Sequence, residues 1–312
     1  MKNERGQTML LTVVFLVVLM GCAALTLDVG VWYREQRQAQ ATADAAALAG
    51  AQALPTSPAN AVAWAKQYAD SNGGGVDAAD ITLRDDVAVS AKDTVAVQVT
   101  RTAPSFFATV FSFGDVNVHA HAAARAGVPE AVEGAAPIVV SKFHPLLAGP
   151  GCPCFNQETT LPLAKTGAPG AFGMVDFNNS GSNGNPDLAD WIQNGFDGML
   201  EVNSPYDSDP GAKFNSGGLT NALQARVGTE LLFPVFDTLD SAGSNAQYDV
   251  IGWVAFHLDC FGLAVGSTDC TNQNGNNQTL TGYFTRAIWK GLQSKNNKHL
   301  PDFGLYSVSL VN

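Results

Sequence analysis

The sequence predicts an α+β protein: an N-terminal transmembrane helix that runs on into a small sheet-on-helix module, then a mixed, strand-rich C-terminal domain. Three observations predict it. An uncharged apolar run from Thr8 to Leu27 continues without a break into an alanine-rich amphipathic stretch ending near Leu54, and the first proline is Pro55. Beyond Pro55 the apolar period changes from helical spacing to alternation, which is the signature of strands. From Pro137 onward, short β-branched and aromatic runs alternate with Gly/Asn-rich turns.

Twenty residues at about 1.5 Å each reach roughly 30 Å, the thickness of a bilayer's hydrocarbon core. Residues 8–27 therefore read as a single membrane span with 1–7 as a cytoplasmic N-terminus, and Gly21 and Gly30 are tolerable in a lipid-embedded helix. Two other readings compete. Lys2 and Arg5 before an apolar stretch resemble the start of a cleaved export signal. Leu19-Met20-Gly21-Cys22 resembles a lipobox, yet Ala23 to Trp32 stays apolar and helix-forming, where a lipid tether opens into a polar spacer. Each of them exports the remainder of the chain.

Basic residues flank the span equally, Lys2 and Arg5 against Arg34 and Arg37, so the charge rule does not orient it. Cysteine usage does. Cys152, Cys154, Cys260 and Cys270 form an even set in a Gly- and Asn-rich region, as expected of disulfides outside the cytosol, while Cys22 sits in the span. Zinc does not suit these four, because Cys-Pro-Cys and a ten-residue step from Cys260 to Cys270 miss the usual knuckle spacing. Three pairings are open. A bond inside Cys152-Pro153-Cys154 would be strained, and cross-links between the early and late pairs would tie the ends of the second domain together.

The net charge of −11 with only 14% charged residues gives an acidic, lightly charged surface without a basic stripe, which argues against nucleic acid. About 285 residues follow Leu27, enough for two modest domains.

In the first of these, residues 28–127, Ser57-Pro58 opens a helix that carries Ala61, Trp64, Ala65 and Tyr68 and stops at Asn72-Gly73-Gly74-Gly75. Ile81 to Val89 and Val95 to Val99 read as two strands, Pro104 to Phe113 as a short aromatic helix, and Val116 to Ala122 as a third strand. Asp28 falls where the helix leaves the hydrocarbon, so its carboxylate is expected to reach interfacial water. Asp44 and Leu48 lie on an alanine-rich face from Ala39 to Ala53. Asp28, Asp44 and Leu48 thus mark a face that packs on the protein's own sheet or on a partner helix, the former being the commoner fate of an amphipathic helix.

Arg5-Gly6-Gln7 before the span, Leu27-Asp28-Val29-Gly30 at its end and Gln40-Ala-Thr-Ala-Asp44-Ala-Ala-Ala-Leu48-Ala-Gly-Ala51 resemble the N-terminal module of TadE/TadG-like Flp pilus assembly proteins. The resemblance is closest over residues 1–54 and extends to about 127. It implies a pilin-like, single-pass membrane component of the tight-adherence (Tad) apparatus that builds type IVb Flp pili. Pseudopilins of that system are cut after a Gly, with a Glu five residues on; Leu11 stands there in this chain, so processing at Gly6 is not carried over. Neither is the Asp-x-Ser-x-Ser metal site of longer TadG proteins, since no such run occurs.

A linker is expected at 128–136, then an α+β or mostly β domain over 137–312. Helices are expected at Asp187 to Gly195 and Leu219 to Val227, strands at Leu231 to Phe236, Val250 to His257, Tyr283 to Trp289 and Gly304 to Val311. Phe233 to Asp237 and Tyr248 to Phe256 resemble a C-terminal region that accompanies Tad-like N-termini. Asp176, Asn178, Ser180 and Asp187 have the oxygen-ligand spacing of a calcium loop, although Asn183 stands where an apolar residue is usual and Asp187 where Glu is usual. His119 and His121 share a strand face but lack a third ligand nearby. His257 and Asp259 are the only hint of acid–base chemistry, and no nucleophile elbow, His-Glu-x-x-His or phosphate-cradling loop is present.

The expected function is that of a structural or assembly component of a Tad/Flp-type pilus or related secretion apparatus, acting through protein contacts and not as an enzyme. Its expected partners are the membrane and other pilus assembly proteins or pilins. No small-molecule ligand and no cofactor other than calcium at the Asp176 to Asp187 loop is expected. The expected location is the bacterial cytoplasmic membrane, with the C-terminal domain periplasmic or at the cell surface. The alternative is an adhesion or ligand-binding domain on a membrane stalk, stabilised by calcium.

Overall fold

The structure is a computed structural model that describes residues 5–54, 56–86, 92–163, 173–180, 184–209, 217–240, 246–262, 279–293 and 300–311. The chain forms two compact units, Met1–Ala126 with Ser309–Asn312, and Gly127–Val308. As the composition predicts, a long apolar helix precedes strand-rich mixed sheets.

Helix α1 spans Arg5–Ala51. At 1.5 Å per residue its 47 residues extend about 70 Å. It is long and apolar enough to cross a membrane: its best 18-residue window has a mean hydropathy of 2.7, and none of that window is buried. Large side chains from Met9 to Met20 and at Leu25 and Leu27 are all exposed. The hydroxyls of Thr12 and Thr26 donate to the carbonyls of Thr8 (2.9 Å) and Cys22 (2.8 Å), so these polar groups are satisfied within the helix itself.

The C-terminal half of α1 buries one face. Ala39, Thr42, Ala43, Ala46, Ala47 and Ala51 have no exposed surface. They pack against α2 (Pro58–Ser71), which buries Ala61, Ala65 and Ala69, and against the first three strands of a five-stranded sheet. Those strands are β1 (Ile81–Arg84), β2 (Thr94–Ala103) and β3 (Val116–Gly127), joined antiparallel in sequence order. Val95, Val97 and Val99 of β2 lie opposite Ala124, Ala122 and Ala120 of β3. Valine facing alanine leaves a shallow apolar surface on which a helix of alanines can sit closely. Gly50 is the tightest point. A Cβ there would lie 2.9 Å from the Ala61 carbonyl oxygen and 3.1 Å from both Ala65 Cβ and Val95 Cγ1.

The end of the first expected strand, Val87 to Val89, lies outside the described residues. One expectation for this unit changes. In place of an aromatic helix from Pro104 to Phe113 there is one 3₁₀ turn, Ala108–Phe111, because Ser112 adopts a left-handed conformation (φ 62°) and Gly114 follows.

The second unit contains β4 (Pro129–Val132), β5 (Val140–Ser141), α3 (Pro145–Ala148), β6 (Glu158–Pro162), β7 (Val175–Asp176) and α4 (Asn185–Asn194). After these come β8 (Leu200–Glu201), β9 (Pro205–Ser208), α5 (Gly217–Arg226), β10 (Glu230–Asp240) and β11 (Gln247–Gly262). Strands β12 (Thr279–Thr285), β13 (Ala287–Ile288), β14 (Gly291–Gln293) and β15 (Leu305–Val311) complete the order. The main sheet runs β5-β10-β11-β12-β6, with β9 pairing β11 and β7 pairing β9; a second sheet is β14-β4-β8. Its core is aromatic. Phe233 stacks on Phe256 at 5.4 Å, Phe256 meets Phe284 edge-on at 5.4 Å, and Phe236 meets Tyr248 at 4.9 Å. Leu188 and Ile192 of α4 and Leu219 and Leu223 of α5 enter the same core. The two helices pack on one another.

Residues 128–136 are not a linker. They contain β4, which pairs with β14 and β8, and Ala131, Val132, Ala135 and Ala136 are buried. Glu130 and Glu133 make the stretch look solvated, but the consecutive Ala131 and Val132, which face opposite sides of β4, are both buried. The strand expected over Tyr283 to Trp289 is split into β12 and β13, and the last four residues belong with the first unit. Of the pairings left open by the sequence, the structure has Cys152 bonded to Cys154 (Sγ–Sγ 1.99 Å), so cross-links between early and late cysteines do not form at that end. Cys260 is also disulfide-bonded, and Cys270 lies outside the described residues.

His144 caps α3. Its Nδ1 accepts from the Leu146 N–H at 3.2 Å, and its ring meets Phe284 edge-on at 5.1 Å. Burial holds its pKa below the ordinary value of 6.5. The unfolded chain therefore takes up the proton first, so the contribution is complete above that value and is lost as the pH falls through it.

Two outcomes are expected. Gly50→Leu lowers stability by about 1–3 kcal/mol through overpacking, measured by thermal or chemical unfolding of the first unit's helix signal. Wild-type protein unfolds more readily at pH 5.5 than at pH 8, about one unit below and more than one above the ordinary histidine value; His144→Asn narrows that difference, as read by melting curves at the two values.

Candidate functional site

The site that organises the first unit is the junction where α1 passes from its exposed half to its buried half. Asp28 stands there with no exposed surface. Its Oδ1 accepts from the backbone N–H of Phe106 (3.0 Å) and Phe107 (3.2 Å), and its Oδ2 from Phe107 (3.0 Å) and Ala108 (2.6 Å). These donors open the 3₁₀ turn, whose N-cap is Phe107, a residue with no side-chain acceptor. Asp28 supplies from another element what a local Ser or Asp would have supplied. A carboxylate facing three N–H groups at the start of a turn is a charge-assisted arrangement.

Asp28 thus does not reach interfacial water as its position suggests; the loop covers it. A turn with no capping residue of its own, beside an acidic residue at the end of an apolar helix, is the sequence signal for this contact. Nearby, Trp32 Nε1 donates to Ser105 Oγ (3.2 Å), and Ser105 Oγ donates to the Gly114 carbonyl (3.0 Å).

Above the junction, polar contacts hold α1 along two sides. Gln36 and Gln40 donate to the carbonyls of His119 (2.8 Å) and His121 (3.1 Å). Four helical residues advance about 6 Å and two strand residues about 6.7 Å, so an i, i+4 glutamine pair matches alternate strand carbonyls. Gln38 (3.2 Å) and Thr42 (2.7 Å) both donate to the Asn72 carbonyl that ends α2. Glu35 pairs with Arg101 at 3.6 Å. Asp44 accepts from Gln40 (2.8 Å) and is half-buried, as is Leu48. The alanine face around them packs on the unit's own α2 and sheet.

Asp176 ends β7 and is buried; its Oδ1 accepts from the Asn178 N–H (3.0 Å) and its Oδ2 from Ser180 Oγ (3.2 Å). Asn178 Oδ1 accepts from the Ser180 N–H (3.1 Å), and Asp187 lies in the first turn of α4. Residues 181–183 between them lie outside the described residues. Among the described residues, no group of three or more His, Cys, Asp and Glu is placed to hold a metal ion. His119 and His121 lie exposed on β3, with His119 beside Thr100 Oγ1 at 3.1 Å. His257 stacks on Tyr283 (4.8 Å) between Glu230 (3.1 Å) and Asp259 (3.8 Å), a polar cluster spread over the neighbouring strands β10, β11 and β12.

The clamped helix is the part of the chain that similarity identifies. Residues 6–53 match the family model of putative Flp pilus-assembly TadE/G-like proteins. The match coincides with α1 and its C-terminal turn, less than a sixth of the chain. No curated protein and no solved structure matches the chain. The TadE/G-like segment therefore contains both the exposed apolar half and the polar ladder of Asp28, Gln36 and Gln40.

Asp28→Ala is expected to raise amide hydrogen exchange at Phe106, Phe107 and Ala108 by about tenfold or more, since three donors lose their acceptor. Asp28→Asn, which keeps one carbonyl oxygen, is expected to fall between it and wild type. Exchange followed by mass spectrometry checks both.

Proposed function

We propose that this protein is a single-pass, membrane-anchored component of a Tad/Flp-type pilus or related surface apparatus, and that it works by protein contacts rather than catalysis. The observation that carries this reading is the division of the TadE/G-like helix: an uncovered apolar half of membrane-spanning length, rigidly continuous with a half held in a folded module. Residues 8–27 would lie in the bacterial cytoplasmic membrane and the remainder outside the cytoplasm. The Cys152–Cys154 bond suits such an oxidising compartment. Pilins or other assembly proteins would be the partners.

A second reading, a ligand-binding or adhesion domain on a membrane stalk, is favoured by one feature of the second unit. A cleft of about 680 Å³ is lined by Phe143, Leu147, Asn203, Ile251, Leu300 and Phe303, with the ion pair of Lys142 and Asp237 at its wall. Calcium at Asp176, Asn178, Ser180 and Asp187 would belong to this reading.

Deleting the gene, shearing the cells and comparing filaments by electron microscopy and pilin immunoblot with a complemented strain separates the two. The expected outcome is loss of surface filaments, restored by complementation. Unchanged filament number and length would overturn the assembly role and move the weight to the cleft.

A further inference from the structure

The loop that Asp28 holds is unusual in what it displays. Within eight residues it presents four large apolar side chains to the outside: Phe106 (62% exposed), Phe107 (44%), Val110 (78%) and Phe113 (68%). Tyr33 of α1 is exposed as well. A water-soluble surface seldom concentrates this much apolar area, and aromatic side chains gather where hydrocarbon gives way to water.

The level of the loop is set by its contacts. Asp28 follows the last residue of the apolar run, and its carboxylate holds the start of the 3₁₀ turn directly. A groove of about 360 Å³ separates loop and helix, lined by Gly21, Ala24, Leu25, Trp32, Phe107 and Phe113. Gly21 lies seven residues before Asp28, about 10 Å along the helix. The loop therefore reaches below the point where the span ends, by the depth at which interfacial segments bury their apolar faces, about 5–10 Å. Its backbone suits that place. Three N–H groups that water would otherwise satisfy are bonded to Asp28, and the buried carboxylate is itself bonded.

We propose that residues 105–113 form an interfacial wedge, inserting Phe106, Val110 and Phe113 into the outer leaflet of the membrane that α1 crosses, with Asp28 as its hinge pin. The occupant of the exposed patch and groove is lipid, because both are continuous with the uncovered apolar face of residues 8–27. The proposal rests on the reading of that stretch as a membrane span. It gives the module a fixed depth and tilt on the bilayer, which a single helix through lipid does not define.

The test uses the full chain with Cys22→Ala, which removes the one free thiol among the described residues. Single nitroxide labels are placed through Leu19→Cys, Val110→Cys, Phe113→Cys and Asp70→Cys, and the protein is reconstituted in phosphatidylcholine–phosphatidylglycerol vesicles. Collision of each label with oxygen and with a water-soluble nickel chelate is read by power-saturation electron paramagnetic resonance. The expected result is an oxygen-to-nickel ratio at 110 and 113 several-fold above that at 70 and below that at 19. Labels at 110 and 113 that match 70, with 19 still oxygen-dominated, would overturn the wedge and leave the span intact. Labels at 110 and 113 shielded from both reagents would overturn it in favour of a protein covering the patch. A nickel-dominated label at 19 would overturn the span and the wedge together.

Discussion

The continuity of α1 imposes the condition that everything in the first unit must meet, because one unbroken helix exposes an apolar surface over its first half and is packed into a folded module over its second. The change of surroundings falls at Asp28. A charged side chain at that level is tolerable only if its hydrogen-bonding capacity is filled, and the N–H groups of Phe106, Phe107 and Ala108 fill it. The same bonds satisfy a turn whose own N-cap is a phenylalanine. Two groups that would each be costly alone are resolved by meeting, and the meeting ties β2 and β3 to the helix through the loop that joins them.

Above that point the module is built from alanine. Alanine contributes little by burial, on the order of 0.8 kcal/mol for its one methyl, so large side chains do not lock the helix on the sheet. Close approach does, and Gly50 sits where no Cβ fits. The position along the helix axis is set by directional bonds: Gln36 and Gln40 against alternate β3 carbonyls, and Gln38 and Thr42 against the end of α2. Each is worth about 0.5–1.5 kcal/mol, comparable to the methyl burial beside it. An alanine interface slides easily; a glutamine ladder gives it a register.

The second unit is stabilised differently. Phe233, Phe256, Phe284, Tyr248 and Trp253 form a core of large buried rings on a sheet of seven strands, with α4 and α5 feeding leucine and isoleucine into it. Such a core needs no membrane. Pro234 sits within β10 opposite Trp253, where it donates nothing to the ladder, and the next two residues carry a register shift. The long β10 and β11 nevertheless pair along most of their lengths, and the shorter strands attach to them.

What the amino-acid sequence determines by itself is whatever depends on short-range periodicity. The uncharged run from Thr8 to Leu27, the alanine spacing of α1 and α2, the alternation in β2 and β3, and the helices near 187 and 219 are all readable because each residue's neighbour in the pattern lies within a turn or a pleat. The resemblance of residues 6–53 to TadE/G-like proteins belongs to this class. Contacts between distant segments were decided only by the tertiary structure. Asp28 reads locally as a residue reaching for water, and it is buried because a loop almost eighty residues later has backbone donors and no cap of its own. Residues 128–136 read as a linker because of their glutamates, yet they contain β4 because β14, more than 150 residues on, offers it an edge. Local patterning selects a helix or a strand; which donor finds which acceptor depends on where the chain returns, and that information is spread over the whole sequence.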